Sequence, residues 1–326
     1  MVERTLVQSI NLALARAMEE DARVLVLGED VGANGGVFRA TEGLLGRFGP
    51  DRVLDTPLAE AAIAGLSVGL AAQGFRPVAE IQFTGFIYPT IDQLVNHASR
   101  LRTRTRGRLT CPMVLRSPAG GGIRAVEHHS ESPEAMFAHI PGLRVVIPSS
   151  PRKAYGLLLA AIRDPDPVVF LEPTRLYRAF KEETPDDGVA LPLDRCFVDR
   201  EGRDVTLIAW GAMLREALGA ADRLAEEGIE AEVVDVATLK PLDEATILAS
   251  VAKTGRCIIA HEAPLTVGFG AEIAARLAGT GLTSLLAPVE RVTGYDTVMP
   301  QSRLEGAYLP GMAEIAAAAR RAAAYA

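Results

Sequence analysis

One carboxylate of this chain stands where its residue type and spacing suggest acid–base chemistry. Glu60 closes the segment DTPLAE at residues 55–60, directly ahead of a run of small and apolar residues. Thr56 is a good helix cap and Pro57 suits a first helical position, so the pattern predicts a short strand, a turn and then a helix. On this local pattern alone, Glu60 is either a reactive group or a residue that favours the positive end of the helix dipole.

The helix that follows Glu60 has almost no polar face. Residues 61–71 read AAIAGLSVGLA, and a helix of that composition is predicted to be buried on all sides. Burial disfavours the charged form of a carboxylate at the mouth of such a helix. The pattern therefore predicts that Glu60 has a raised proton affinity and acts as a hydrogen-bond donor or an acid.

The elements that must position Glu60 are those of an α/β protein. Short apolar runs of β type alternate with segments of helical period, which predicts parallel sheets with helices on both faces. A stretch rich in proline and charge then interrupts the alternation before it resumes. The predicted organisation is a first α/β domain at residues 1–172, a linker at 173–203 and a second, smaller α/β domain at 204–326.

The predicted elements follow from these runs. Strands are expected near residues 24–28, 53–54, 78–83, 113–116, 145–147, 168–171, 205–210, 232–236, 257–261 and 285–287. Helices are expected near residues 5–20, 59–73, 90–104, 132–139, 151–163, 213–227, 244–251, 270–278 and 312–323.

Bulk composition excludes several classes of function. The 326 residues are 48% hydrophobic and 23% charged, with a net charge of −7 and 5% aromatic residues, which gives no general reason to bind nucleic acid or an anionic membrane. The three cysteines are far apart and form no metal or disulfide pattern. No signal core or membrane span is visible. We expect a cytoplasmic protein, or one of the mitochondrial matrix if a transit peptide has been removed.

Two motifs are excluded as nucleotide sites. The glycine run at residues 120–122 has no Lys-Ser/Thr after it, so it is not a P-loop. The glycines between residues 28 and 36 miss the dinucleotide spacing. Arginines alternate along residues 100–108, a period that does not form one helix face and predicts a solvated helix end or a partner contact.

Eight separate segments together resemble one family, the beta subunits of the thiamine-diphosphate-dependent decarboxylating component of 2-oxo acid dehydrogenase complexes. Each segment is weakly specific, but all occur in the expected order over nearly the whole chain. They read LGEDVG at 27–32, GVFR at 36–39, DTPLAE at 55–60, RPVAEIQF at 76–83, HSES at 129–132, PGLRVV at 141–146, DPDPVVF at 164–170 and RVTG at 291–294.

The resemblance implies a transketolase-like architecture, with a pyrimidine-binding domain followed by a smaller C-terminal domain. It also implies a role for Glu60. The matching glutamate hydrogen-bonds a ring nitrogen of the cofactor's aminopyrimidine and favours the imino tautomer, which removes the proton from the thiazolium carbon that attacks the 2-oxo acid. Phe86 matches an aromatic residue that packs on that ring. Further positions that resemble cofactor-lining ones are Glu29, Leu58, Ala59, Gln82, Pro89 and His129.

His129 matches the family's active-site histidine, which contacts substrate and exchanges a proton while the acyl group passes to lipoate. Its position behind a glycine-rich loop and ahead of a helix start suits a side chain that projects into a cleft. The segment departs from the family pattern at Glu131, where glutamine is common, and at residues 125–127. The carboxylates of Glu127 and Glu131 are expected to raise the pKa of His129.

The resemblance also implies metals and partner subunits. A potassium ion in related subunits is held largely by carbonyl oxygens, which suit a hard cation. No Gly-Asp-Gly segment is present, so the Mg²⁺ that holds the diphosphate is expected in an alpha subunit, in an α2β2 heterotetramer. Other implied partners are a lipoyl acyltransferase and, through it, dihydrolipoyl dehydrogenase. The positions that match the potassium site are Cys111, Met113, Val114, Ala161, Ile162, Asp164 and Asp166.

The substrate and three alternatives stay open. HEAPLT at 261–266 and GYDT at 294–297 look like branched-chain subunits, whereas Phe86 in place of tyrosine also suits pyruvate subunits. We therefore expect a branched-chain 2-oxo acid such as 3-methyl-2-oxobutanoate, with a pyruvate dehydrogenase beta subunit as the first alternative. The second is an acetoin-cleaving or other transketolase-like enzyme subunit. The third is a non-catalytic scaffold, against which the intact Glu60 and His129 argue.

Overall fold

The computed structural model describes residues 2–325, which form two compact α/β units. The first unit runs to Ala119 and includes Met136–Leu193, and the second combines Gly120–Ala135 with the chain from Asp194 onward. The expected fold class, two α/β units with mostly parallel sheets, is confirmed. The predicted domain limits stay a prediction, and their end residues Met1 and Ala326 lie outside the described residues.

A parallel sheet forms the centre of the first unit. Six of its strands lie in the order β6-β7-β5-β4-β2-β3 and all pair in parallel. The two remaining strands, β1 and β8, pair antiparallel with each other. The bounds are β1 Glu3–Arg4, β2 Val24–Gly28, β3 Val53–Asp55, β4 Arg76–Glu80, β5 Val114–Ala119, β6 Arg144–Val146, β7 Val168–Pro173 and β8 Glu182–Glu183. The strands β2, β5 and β7 are buried along their whole length, as strands of a doubly covered parallel sheet should be.

The second unit contains a five-stranded sheet in the order β14-β13-β10-β11-β9, in which only β9 is antiparallel to its neighbour. The predicted strand at residues 285–287 is wrong. The strand that pairs with β13 is β14, which begins after Pro288, a residue that has no N–H to donate to a sheet. The bounds are β9 Phe197–Arg200, β10 Val205–Ala209, β11 Ala231–Asp235, β12 Thr238–Lys240, β13 Cys257–Pro264 and β14 Glu290–Gly294.

Helices cover these sheets, and α1 packs against α7 in the first unit. A capping box at Thr5 and Gln8 starts α1. The helix predicted at residues 90–104 is interrupted, because the backbone leaves the helical region at His97. The bounds are α1 Leu6–Glu20, α2 Leu44–Phe48, α3 Glu60–Ala72, α4 Ile91–Asn96, α5 Leu101–Arg104, α6 Glu134–His139, α7 Pro151–Arg163, α8 Met213–Glu226, α9 Glu244–Thr254, α10 Gly270–Thr280, α11 Glu305–Tyr308 and α12 Met312–Ala323.

Candidate active site

Glu60 is the first residue of α3, one position after the start of the helix predicted near residues 59–73. Ala59, not Thr56, occupies the N-cap position and makes no side-chain cap. The turn before Glu60 is fixed by its neighbours: the Thr56 amide donates to the Gly28 carbonyl at 2.9 Å, and the Asp55 carboxylate accepts from the Gly32 amide at 2.6 Å. The turn therefore holds Glu60 beside the end of β2.

The topology of the first sheet explains why this turn is suited to a site. The chain passes from β2 to β3 on one side of β2 and then returns to β4 on the other side. In open parallel sheets, such a switch point leaves a crevice outside the carboxyl ends of the strands, where ligands bind. Glu29 follows β2, Glu60 follows β3, and Gln82 and Phe86 follow β4. Four of the predicted site residues therefore lie at one edge of the sheet.

The carboxyl groups at this edge interact. Burial raises the pKa of Glu29, and the charges of Asp30 and Glu60 raise it further. The Gln82 side-chain amide donates to Asp30 Oδ2 at 3.4 Å. The switch point therefore places Glu29, a carboxyl group with a raised pKa, within electrostatic reach of Glu60.

Aromatic rings line the same part of the unit. Phe86 lies in a 3₁₀ turn, Thr84–Phe86, and its ring meets that of Phe83 edge-to-face with centroids 6.2 Å apart. Phe83 in turn meets Phe38 at 5.4 Å, also edge-to-face. Such contacts fix ring orientation beyond what burial alone does. Phe86 is half-buried, whereas Leu58 and Pro89 are exposed.

The prediction that α3 is buried on all sides is wrong for the single chain. Ile63, Ala64 and Ser67 are buried, but Ala61, Ala62, Leu66 and Gly69 are exposed. Leu66 retains 48% of its exposure and Leu58, just before the helix, retains 70%. Glu60 is accordingly half-buried, so the single chain supplies only part of the desolvation that was expected.

His129 belongs to the second unit and ends a 3₁₀ turn, Glu127–His129. Its ring lies 4.4 Å from that of His128. The expectation that nearby carboxylates raise its pKa is wrong: burial lowers the pKa of His129, and the charge of His128 lowers it further. Glu127 acts in the opposite direction but is outweighed, and burial raises the pKa of Glu131 itself.

A buried ionic cluster in the first unit was not predicted. Arg116 on β5 binds Glu172 on β7 through Nε–Oε1 and Nη2–Oε2 contacts of 2.7 and 3.0 Å, and Glu80 on β4 at 2.8 Å. Tyr177 donates to Glu172 at 2.5 Å. Burial lowers the pKa of Arg116, but the two carboxylates outweigh it and raise that pKa overall. The cluster joins the three neighbouring strands β4, β5 and β7, and its member Glu80 ends β4 two residues before Gln82.

The residues of the predicted potassium site gather in the first unit, but arginines already contact them. Arg76 Nη1 donates to the carbonyls of Ile162 at 2.8 Å and Asp164 at 3.2 Å, at the carboxyl end of α7. A cation is favoured there because the last carbonyls of a helix lack partners. The guanidinium of Arg76 therefore supplies the positive charge that a metal ion would bring to these carbonyls.

The side-chain carboxylates of Asp164 and Asp166 are also paired with arginines. Arg144 Nε lies 2.9 Å from Asp164 Oδ2, and Arg102 Nε donates to Asp166 Oδ1 at 2.7 Å. The remaining members lie close by. Burial raises the pKa of the Cys111 thiol, and the charge of Asp166 raises it further, to about 12. Met113, Val114 and Ala161 are buried. This donor set fits a resident potassium ion poorly.

Residues 2–325 contain no cluster of three or more His, Cys, Asp or Glu side chains placed to hold a metal ion. Over the same residues, no helix combines the length and the hydropathy that a membrane span requires.

Comparison with known proteins assigns the family. A family model of the transketolase pyrimidine-binding domain matches residues 3–179, and one of the transketolase C-terminal domain matches residues 194–315. A solved structure described as a split gene transketolase, inactive beta4 tetramer, superposes with a TM-score of 0.82 and covers 99% of both chains. At 24% identity, that likeness supports the fold alone.

The curated relatives share far more sequence. The pyruvate dehydrogenase E1 component subunit beta of Bacillus subtilis is 50% identical over 321 residues, which is 98% of this chain and 99% of the relative. The subunit of that name from Acholeplasma laidlawii is 50% identical over 319 residues, 98% of each chain. This chain therefore belongs to the transketolase-like family of 2-oxo acid dehydrogenase beta subunits.

Proposed function

We propose that this chain is the beta subunit of a pyruvate dehydrogenase, active only with an alpha subunit. Membership of the family implies a thiamine-dependent enzyme component in which alpha and beta subunits work together. The observation that carries pyruvate as substrate is the 50% identity to pyruvate dehydrogenase beta subunits over 98% of the chain. The branched-chain preference that residues 261–266 favoured is unconfirmed, and we prefer the pyruvate alternative.

The donors at the switch point fit the pyrimidine end of thiamine diphosphate. Glu60 offers a half-buried carboxylate, Gln82 a neutral amide, and Phe86 a half-buried aromatic ring. When bound, thiamine diphosphate supplies the nucleophilic carbon that adds to the 2-oxo group. Glu60 would exchange a proton with a ring nitrogen of the aminopyrimidine, and Phe86 would pack on that ring and orient it. Glu29 would line the site beside them.

His129 is proposed to serve the later half of the reaction. Its lowered pKa favours the neutral imidazole at pH 7, which can accept a proton from a thiol and return it. That chemistry suits transfer of an acyl group to a lipoyl dithiol. The lipoyl acyltransferase and dihydrolipoyl dehydrogenase are accordingly proposed as the other partners of the complex.

The exposed side of α3 supports the proposal of an alpha partner. Leu58 and Leu66 are large apolar side chains that flank Glu60 along the chain and remain exposed at 70% and 48%. We take these exposed apolar side chains as part of an interaction site. A partner that covers it would also complete the desolvation of Glu60. We propose that this partner is the alpha subunit of an α2β2 heterotetramer, which would also hold Mg²⁺ and the diphosphate.

The test is to co-express this chain with its alpha partner and to measure thiamine-diphosphate-dependent decarboxylation of pyruvate and of 3-methyl-2-oxobutanoate. We expect higher kcat/KM with pyruvate, and no turnover by the chain alone. A preference for the branched-chain acid would contradict the substrate assignment. Turnover without the partner would contradict the proposal that this chain supplies only half of the active site. Ketol transfer that needs no lipoamide would favour an acetoin-type or transketolase-like enzyme.

A further inference from the structure

We propose that Glu262 and Glu305 are positioning residues for His129, because their carboxylates hold the backbone of the loop that leads to it. This inference rests on the proposed function of His129. Both glutamates and the whole loop, residues 120–131, belong to the second unit. Neither glutamate is close to the loop in sequence, since 141 residues separate Gly121 from Glu262.

Glu305 makes the more extensive contact. It is the first residue of α11 and retains only 5% of its exposure. Its Oε1 accepts from the Gly122 amide at 2.7 Å, and its Oε2 accepts from the Arg124 amide at 3.0 Å. Hydrogen bonds from backbone amides to a buried carboxylate are charge-assisted and about twice as strong as neutral ones. The loop is therefore bound through its main chain.

Glu262 supports the loop one residue earlier. It lies on β13, and its Oε2 accepts from the Gly121 amide at 3.0 Å. The neck of the loop is closed separately, because the Gly120 amide donates to the Glu131 carbonyl at 2.8 Å. His129 thus lies inside a loop whose first part is fixed by two carboxylates and whose two ends are fixed to each other.

This arrangement explains the glycine run that is not a P-loop. Gly120 has φ +80°, and a Cβ there would lie 2.6 Å from Glu262 Oε2. A Cβ at Gly121 would lie 2.8 Å from Met299 Cε. A side chain at Gly120 would be strained by the positive φ and would crowd the Glu262 carboxylate, and one at Gly121 would displace the Met299 side chain. The glycines therefore let the loop backbone approach Glu262 and Glu305, and this role explains the glycine run without a bound phosphate.

The carboxylates could instead serve only the stability of the second unit, and this role makes a different kinetic prediction. A residue that acts through His129 must lose its effect once His129 is removed. It must also impair acyl transfer to lipoyl groups more than decarboxylation followed with an artificial electron acceptor. A residue with a merely structural role would lower both reactions equally and would add to the effect of losing His129.

The experiment uses the assembled α2β2 enzyme with Glu305→Ala, Glu305→Gln, His129→Ala and the double variant. We expect Glu305→Ala to lower lipoyl acetylation by about tenfold to a hundredfold, because small displacements of a reacting group have effects of that size. Decarboxylation with the artificial acceptor should fall much less. Glu305→Gln keeps one acceptor oxygen and should be intermediate. The double variant should be no slower than His129→Ala alone.

Glu314→Ala is the matched control. Its carboxylate also accepts a backbone amide in the second unit, from Gly311 at 3.0 Å, but it caps α12 and does not touch the loop. Glu314→Ala should leave the ratio of the two activities unchanged. Additive losses in the double variant, or an unchanged ratio in Glu305→Ala, would overturn the proposal.

Hydrogen–deuterium exchange separates this inference from the proposed function. In the Glu305→Gln complex, amides of residues 121–124 should exchange faster, while those of β10 keep their protection. This result is independent of turnover. If the wild-type complex transferred no acyl group to lipoyl substrates, the proposed function would fail while exchange still reported on the anchoring. Unchanged exchange at residues 121–124 would overturn the anchoring.

Discussion

The turn that carries Glu60 and the loop that carries His129 are built in opposite ways. Glu60 begins a helix directly after a strand, and the helix has exposed apolar residues such as Leu66 beside it. His129 lies on a loop whose backbone is held by Glu262 and Glu305 from the same unit. The first region leaves apolar side chains exposed, which we propose a partner covers, whereas the loop of the second is held from within its own unit. The comparison teaches that the two regions differ in how far the chain itself supports them.

The strongest test of the first region is Glu60→Gln in the assembled enzyme. We expect turnover of the 2-oxo acid to fall by roughly 10²–10⁴-fold, because glutamine cannot exchange a proton with the aminopyrimidine. Hydrogen–deuterium exchange at the thiazolium carbon should slow by a similar factor. Glu42→Gln, at an exposed position of the same unit, is the matched control and should be near wild type.

Assembly must be intact for this result to be read. Glu60→Gln should therefore co-purify with the alpha subunit in the wild-type ratio. Exchange at the thiazolium carbon at the wild-type rate would show that Glu60 is not the activating group, and the first region would lose its proposed chemistry.

Leu66→Asp tests whether the first region requires a partner. A charge placed in an apolar interface is desolvated without a counterion, so we expect the affinity for the alpha subunit to fall on the order of a hundredfold. Sedimentation or titration of the two subunits gives the Kd. The thermal stability of the isolated chain should change little, because Leu66 is already 48% exposed there.

Leu282→Asp is the corresponding control in the second unit, where Leu282 is 60% exposed. We expect it to leave the affinity for the alpha subunit unchanged. Equal losses in the two variants would mean that α3 is not the specific contact, and the contrast between the two regions would disappear.

Local patterns predicted the first region better than the second. The helices α7 and α12 were predicted at their observed bounds, because each carries a clear helical period of apolar residues. The strand and helix on either side of the turn before Glu60 were predicted because they are contiguous in the sequence. Glu305, by contrast, is 183 residues from Gly122, and no local pattern contains such a contact. Long-range support of a loop is therefore what sequence reasoning could not reach.

One missed feature did leave a signal in the sequence. Glu80 lies inside, Arg116 ends and Glu172 directly follows an apolar run that was predicted to be a strand. A charge in such a run must be paired if the strand is buried. Three neighbouring strands with charges of both signs could have predicted the cluster. The exposure of α3 was missed for another reason. The sequence of an apolar helix surface has the same pattern whether the rest of the chain or a partner covers that surface.

Burying carboxylates in the second unit lowers the stability of the folded chain, and Glu134→Gln should reveal this cost. Burial raises the pKa of Glu134 to about 7, and the charge of Glu262 adds to the shift. Between its unfolded value, about 4.5, and 7, the folded chain holds a proton that the unfolded chain releases, so stability is lost as the pH rises through this window. Above pH 7 the full loss of stability is present.

Glutamine removes this cost and keeps an oxygen for the indole N–H of Trp210, which donates to Glu134 Oε1 at 3.3 Å. We expect Glu134→Gln to stabilise the chain by about 1–2 kcal/mol at pH 8 and by nothing at pH 4.5. Urea unfolding at the two pH values measures the difference. The exposed Glu226→Gln is the control. A stabilisation that did not vary with pH would contradict the assigned ionisation.

Potassium asks a related question of the carboxyl end of α7, in the first unit: whether it needs an ion from outside the chain. Arg76, Arg102 and Arg144 already contact the carbonyls and carboxylates of Ile162, Asp164 and Asp166. We therefore expect the melting temperature of the chain in KCl to equal that in NaCl at the same ionic strength, within about 1 °C. Arg102→Gln would leave the Asp166 carboxylate without its partner and should create a stabilisation by potassium. A wild-type chain that melts several degrees higher in KCl would show that a bound ion stabilises the folded state and that the arginines do not replace it.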